Sequence, residues 1–542
     1  MGSSSAQASC AEGASPFFRS PQGRRFGRRA GWALVVVALA WYLVAMAAHM
    51  GVCAAGSDSS GYVNNARLLR EGRLFADQRQ IEGVNPQDLP WFTYVPLGFE
   101  PLHSVRPFDP ADANKMVPTY PLGLSALFVA ASVGSSLEIG MPVAMWVMLA
   151  ASLFLTYRLA RQCGLSPGWA GAGVAMLAAS PVFIGMSLQA MSDVPALCWT
   201  TLALVLALDS RERRWLAGLS GLAVVVAVFI RPSNVLVVLP LLWVFRFDWR
   251  RWLWLGLCGL PGAVVWMLTN KALFGRYIAT GYGDVGQLFG WHNVLPVLRN
   301  YALSFPRVLP LFFLAAFGLG IRREACGETR RALAATTTWV VLPLAFYAFY
   351  FHTQEAWWYL RFVLPAFPAL IALALRGLRR LHGRIAAGAT AGGRPVWAGA
   401  VVAAVFGAGL LVQARATHSW DAWEFGRGEK DYPKLAQLLE RHAPATAVVF
   451  CMQTSGALYF AGPQILVRWD ALEREQASRL YAAATRAGRP VYAAFFPFEV
   501  SDGCFKKLPG RWTQVDHIRD KTIWRLDDPA GAMPEKIELP AP

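Results

Sequence analysis

The sequence predicts an α-helical polytopic membrane protein, with about eleven transmembrane helices and external interfacial helices, carrying a small external α/β domain at its C-terminus. Three observations lead there. Hydrophobic residues make up 55% of the 542-residue chain and mean hydropathy is +0.35, while charged residues reach only 16%, well below the roughly 25% usual in soluble domains. Arginines fall in short gaps between long apolar runs. From Ala414 onward charges become frequent and the apolar runs shorten.

The formal net charge of +17 would suit nucleic acid in a soluble protein. Here no basic face with interleaved aromatics occurs outside the gaps, so the charge reads as the positive-inside bias of a membrane protein and nucleic acid is excluded as a partner.

The first apolar run, Trp32 to Met50, follows Arg19, Arg24, Arg25, Arg28 and Arg29. It is too long for a secretory signal and lacks a small-residue cleavage site, so it is expected to be a retained span behind a basic cytoplasmic N-terminus covering residues 1–30. A transmembrane domain then covers 31–413. Its spans lie near 31–50, 141–158, 168–188, 194–208, 215–230, 234–246, 252–270, 306–321, 333–351, 361–376 and 396–413. With one crossing each, the basic gaps at Arg158 and Arg161, Arg211 to Arg214, Arg246 to Arg251, Arg322 to Arg331 and Arg376 to Arg394 all face the cytoplasm. The run Tyr120 to Val133 has no place in that alternation and is expected to lie on, or dip into, the membrane surface. The first loop (51–140), the segment 271–305 and the C-terminal domain (414–542) then face outward. The predicted location is the cytoplasmic (inner) membrane with a periplasmic C-terminal domain.

In that domain Tyr432 to His442 and Glu473 to Gly488 have helical periodicity, and "TAVVFCMQ" and "RPVYAAFF" read as buried strands. Cys451 and Cys504 share the outward compartment, where they either pair or remain free thiols.

The stretch "GSDSSGYVNNARLLREGRLF" follows the first span directly. Tyr62, Val63, Ala66 and Leu69 recur at helical spacing, with Asn64, Arg67, Arg70 and Glu71 opposite, which predicts an amphipathic helix along the outer face, ended by Gly72. Asp58 stands at its start, either as a cap or as a catalytic carboxylate. Asp193 opens the fourth span with the same two readings. Two carboxylates at the outer boundary suit deprotonation of a hydroxyl. Arg231 and Arg361 lie outward against the charge bias, where a guanidinium either snorkels to headgroups or holds a phosphate bidentately. Trp357, Trp358 and Tyr359 read as an interfacial aromatic belt. His352 and Glu355 have helical spacing for metal ligation, but two groups do not close a site, so no metal or other cofactor is expected.

In order along the chain, Asp58 with "GYVNNARLL", then "YPLGLSALFVAAS", "SDVPALCWTTLALVLAL", "RPSNVLVVLP" and "YLRFVLPAFPALIALAL" resemble the GT-C membrane glycosyltransferases. The likeness is greatest to the branch containing protein O-mannosyltransferases and the aminoarabinose transferase of lipid A, and it covers roughly residues 30 to 380. It implies a glycosyltransferase that takes a hexosyl or pentosyl group from a polyprenyl-phosphate donor and passes it, with inversion, to an acceptor hydroxyl on a lipid, glycan or protein. The family's first-loop acid matches Asp58, its second-loop acid Asp193, and its basic residues Arg231 and Arg361. Lys115 stands near the position of a family lysine and is assigned with them to the donor phosphate. Tyr62, Tyr120, His352 and Glu355 are expected to shape the sugar and acceptor pocket. Where the family's first acid is often followed by Glu, this chain has Ser59.

A multispan lipid or polyol-phosphate transporter would share the many spans, but the sequence shows no internal repeat with matching broken helices. A structural scaffold would leave Asp58 and Asp193 unexplained.

Overall fold

The computed structural model describes residues 21–85, 88–282, 285–318, 327–388 and 396–533. Most of the predicted basic N-terminus and parts of the last two basic gaps lie outside them. The chain divides into two compact units, Met1–Ala48 and His49–Pro542. The first contributes most of helix α1 (Pro21–His49), whose second half is the predicted first span.

The second unit begins with α2 (Ser57–Arg70) and a small antiparallel sheet of β1 (Ala76–Asp77), β2 (Phe99–Pro101) and β3 (Lys115–Pro118), with β3 in the middle. The apolar helices follow: α3 (Leu122–Ala131), α4 (Leu137–Gln162), α5 (Pro167–Ala178), α6 (Pro181–Ser187), α7 (Asp193–Asp209) and α8 (Leu216–Ile230). A 3-10 turn (Pro232–Val237) leads into α9 (Val238–Phe245), then α10 (Trp249–Phe274), α11 (Val294–Val308) and α12 (Gly327–Ala348). A 3-10 stretch, Trp357–Ala366, runs into α13 (Phe367–Gly388), and α14 (Val396–Ser419) continues past the predicted boundary at residue 413.

Among the described residues, four helices are long and apolar enough to cross a membrane, or up to six if each of two bent pairs is one span. The predicted span 168–188 is α5 and α6, bent by 64°, and the one near 306–321 belongs to a pair bent by 104°. Both bends lie at prolines, Pro181 and Pro310, which remove a helical N–H and clash with the preceding turn. Helix α3, of 10 residues, is only about 15 Å long and is too short to cross.

The C-terminal region starts with α15 (Phe425–His442). It continues through β4 (Val448–Cys451), α16 (Ser455–Ala461), β5 (Ile465–Arg468), α17 (Arg474–Arg486), β6 (Val491–Phe495), β7 (Arg511–Ile518) and β8 (Lys521–Asp528). The sheet order is β5-β4-β6-β8-β7, parallel across β5, β4 and β6 and antiparallel beyond. Successive residues of β4 point to opposite faces. Val448 and Phe450 join a core with Trp469, Tyr481, Phe495 and Cys504, while Val449 and Cys451 join one with Leu435, Leu439 and Tyr492. Cys451 and Cys504 therefore lie on opposite faces of the sheet as buried free thiols, which removes the disulfide option.

Both cores extend outside the C-terminal region. Ile81, Leu89 and Tyr94 complete the first, and Leu68, Val95, Phe99 and Met116 complete the second. The first loop and the sheet region are thus packed together.

Candidate active site

Helix α2 is buried on nearly every side, which corrects the expectation of a surface helix. Its polar face meets carbonyl oxygens in place of water. Asn64 donates to the Gly456 carbonyl at 2.8 Å and Arg67 to the Phe460 carbonyl at 2.9 Å, both on α16 of the sheet region.

Gly56 is the N-cap of α2, and no side chain caps it. Asp58 lies in the first turn with both carboxylate oxygens engaged elsewhere, so the cap reading does not hold. Oδ1 accepts from the Tyr120 phenol at 2.6 Å, and Oδ2 accepts from Arg361 Nη2 at 2.8 Å. Burial works against the Asp58 charge, but Arg361 and the Tyr120 phenol outweigh it and hold the carboxyl below its ordinary range. Burial first, and then Asp58, push the Tyr120 phenol well above its ordinary value, so it stays a donor. Tyr120 precedes Pro121, the residue ahead of α3, and a residue before proline is driven to an extended conformation that ends local helix.

The second acid, Asp193, is the first residue of α7 and is fully buried. It also makes no cap bond; its Oδ1 pairs with Arg231 Nη2 at 2.6 Å. Arg231 ends α8 in an extended conformation ahead of Pro232, and its Nε donates to Ser192 Oγ at 2.9 Å. The two guanidiniums share the Phe362 ring, with Arg361 5.2 Å and Arg231 5.7 Å from its centroid. Within this cluster of described residues three buried polar atoms have no hydrogen-bond partner: Arg231 Nη1, Arg361 Nε and Asp193 Oδ2. Two of them are cationic donors on the paired guanidiniums. Donors of this kind match the oxygens of a phosphate.

No family model matches the sequence, and no curated protein is significantly similar to it. Among solved structures, the fold is similar to that of the lipid A aminoarabinose transferase ArnT from Cupriavidus metallidurans bound to undecaprenyl phosphate, at TM-score 0.53 and 15% identity over 92% of this chain and 99% of that one. The apo state of the same enzyme matches at TM-score 0.50 and 13% identity, covering 92% and 98%. The Archaeoglobus fulgidus oligosaccharyltransferase tethered to an acceptor peptide matches at TM-score 0.50 and 11% identity, covering 85% of this chain and 69% of that one.

The chain shares the fold of these GT-C enzymes. Within it Asp58, Tyr120 and Arg361 are brought together, with Asp193 and Arg231 beside them around Phe362. Tyr62 lies against Tyr120 at 5.0 Å between ring centroids. Tyr282, which sequence reasoning missed, closes on Tyr120 from the other side at 5.8 Å. Lys115 is not part of the cluster: strand β3 carries its ammonium to Asp112 at 2.8 Å. His352 and Glu355 pair with each other at 2.8 Å, and His352 stacks on Tyr359, whose ring lies 5.6 Å from the Arg361 guanidinium. They stand at the edge of this cluster, one ring away from Arg361. Trp357 stacks on Trp420 at 4.4 Å, so one face of the predicted belt residue is covered by protein. Glu429 is the other missed residue: its carboxyl accepts from the Ser59 hydroxyl. Its only sequence signal is a charge far along the chain.

Among the described residues no group of three His, Cys, Asp or Glu side chains has metal-holding spacing. Asp58 and Asp193 are each paired with a guanidinium, a donor set unlike the oxygen cage of a divalent cation.

Proposed function

We propose that this protein is a membrane glycosyltransferase. It moves a hexosyl or pentosyl group from a polyprenyl-phosphate donor to an acceptor hydroxyl at the outer face of the cytoplasmic membrane, with its N-terminus inside and its sheet region outside. The observation that carries this reading is an ionised Asp58 paired with Arg361, in one cluster with the Asp193–Arg231 pair, both guanidiniums keeping an unpartnered N–H group. The GT-C fold supports it, as does the neighbour solved with undecaprenyl phosphate.

A groove of about 530 Å³, lined by Leu236, Phe289, Trp291, Leu342, Phe346 and Phe349, suits the apolar tail of such a donor. Its lining residue Leu236 belongs to the 3-10 turn that follows Arg231, and Tyr347, next in sequence to the lining residue Phe346, is hydrogen-bonded to Ser233 of that turn at 2.8 Å. A phosphate held by Arg231 and Arg361 would thus lie at the head of an apolar track.

In the step itself Asp58 takes the proton of the acceptor hydroxyl as its oxygen bonds to the anomeric carbon. The bond from that carbon to the phosphate oxygen breaks on the opposite face, and configuration inverts. Arg231 and Arg361 receive the charge that accumulates on the departing lipid phosphate. Arg361 links the two halves, because it holds Asp58 below its ordinary range in the free protein. A donor phosphate that draws Arg361 toward itself releases Asp58 to act as a stronger base.

The test is release of polyprenyl phosphate from a panel of polyprenyl-phosphate sugars by the purified protein. Wild type is expected to release it with one sugar, and Asp58→Asn to be slower by about 10² to 10⁴. Equal release by both removes Asp58 from the chemistry.

A further inference from the structure

Glu429 lies on the second turn of α15, at the point where the sheet region meets the start of α2. Its Oε2 accepts from Ser59, the residue next to Asp58, and its backbone carbonyl accepts from Cys53 Sγ at 3.4 Å. The backbone leading to it is closely seated: a Cβ on Gly51 would meet the Gly426 carbonyl oxygen at 1.8 Å. Burial, with the Asp58 charge adding to it, pushes the Glu429 carboxyl up to about 8. It is therefore mostly neutral at pH 7 and adds little negative charge near Asp58.

Burying a carboxyl is unfavourable unless it is used. Docking of the sheet region does not require this one. Asn64 and Arg67 bond to α16, the Leu97 amide donates to Ser455 Oγ at 3.0 Å, and both cores run continuously into the first loop. What Glu429 adds beyond docking is a fixed partner for the hydroxyl beside Asp58.

We propose that Glu429 is a positioning residue of the transfer centre: through Ser59 Oγ it fixes the first turn of α2, and with it the Asp58 carboxylate, so that the chemical step depends on a side chain of the sheet region. This rests on the transferase reading above. Reacting groups must be held to within about half an ångström, and a displacement of about 1 Å is enough to slow a reaction roughly 100-fold.

The experiment is steady-state kinetics of the full-length protein with a polyprenyl-phosphate sugar that supports wild-type turnover. Glu429→Ala and Ser59→Ala are each expected to lower kcat by roughly 10- to 100-fold with donor KM within about threefold of wild type. The double variant should be no worse than the weaker single one, because both remove one interaction. Glu429→Gln, whose amide oxygen still accepts from Ser59, should restore kcat to within about threefold. Should Glu429→Ala fail to fold, Ser59→Ala carries the test, since it removes only one hydroxyl. Wild-type kcat in the alanine variants, or losses that multiply in the double variant, overturn the proposal while leaving the transferase reading intact. If wild type releases no polyprenyl phosphate from any donor, the transferase reading falls and this proposal with it.

Discussion

At the scale of single residues, the site is built from charges that are expensive beside apolar helices and so stand out in the sequence. Asp58, Asp193, Arg231 and Arg361 were legible for that reason. Their pairing was not, because Asp58 meets Arg361 across 303 positions, a separation that no local pattern encodes. Lys115 was assigned from its place beside a family motif, and the strand direction of β3 sends it to Asp112. Two outcomes follow from the pairs. Asp193→Asn leaves the Arg231 charge in a buried site without its counter-charge, and should lower stability by about 3 to 5 kcal/mol, measured by thermal unfolding in detergent. Arg361→Lys replaces a planar fork with a point charge that cannot hold a phosphate bidentately. It should reduce kcat/KM for donor roughly 100-fold, read from polyprenyl phosphate release.

At the scale of elements, helix α2 shows where periodicity misleads. Its apolar face was legible, and its polar face was taken for solvent contact. In the fold that face is satisfied by backbone carbonyls of α16, and hydropathy does not distinguish a carbonyl partner from water. The spans are subject to a related ambiguity, since an apolar window reads the same whether its helix is straight or bent at Pro181. Gly61, on α2, lies against Tyr120. A Cβ there would lie 2.3 Å from the Tyr120 ring, so Gly61→Ala must shift Tyr120 away from Asp58. We expect kcat to fall by about 10-fold or more with the helical circular dichroism unchanged. Unchanged kcat would show that the Tyr120 phenol is dispensable.

At the scale of the whole molecule, the predicted boundary at residue 414 separates parts that share two cores. Strands β4 and β6 and helices α15 and α17 were legible from their apolar runs. Strands β5, β7 and β8 were not, and nothing local revealed that Leu68 and Met116 pack with Leu435 and Tyr492. Truncation from Ala416 onward should therefore abolish transfer to every acceptor, measured as lipid phosphate release, because it removes the packing that holds α2. The same junction gives a pH dependence. The Glu429 carboxyl rises from its ordinary 4.5 to about 8 in the fold. Its contribution to stability is complete below pH 4.5 and is lost as pH rises through about 8. Asp58, held below its ordinary 3.8, works in the opposite sense, its contribution being lost only on acidification below that value. Thermal stability of wild type should decline across the upper window, and Glu429→Gln should flatten that decline.

Ser59 and Glu429 are 370 positions apart, so on the proposed topology the loop bearing Asp58 reaches the far side of the membrane long before its partner has been synthesised. On the proposed topology the nascent enzyme waits, with its first loop unfinished, until the last hundred or so residues have been translocated and folded onto it. If the proposed activity and topology hold, a half-made chain in the bilayer is inert toward the lipid donors around it, and transfer begins only once the sheet region has reached the outer side and folded.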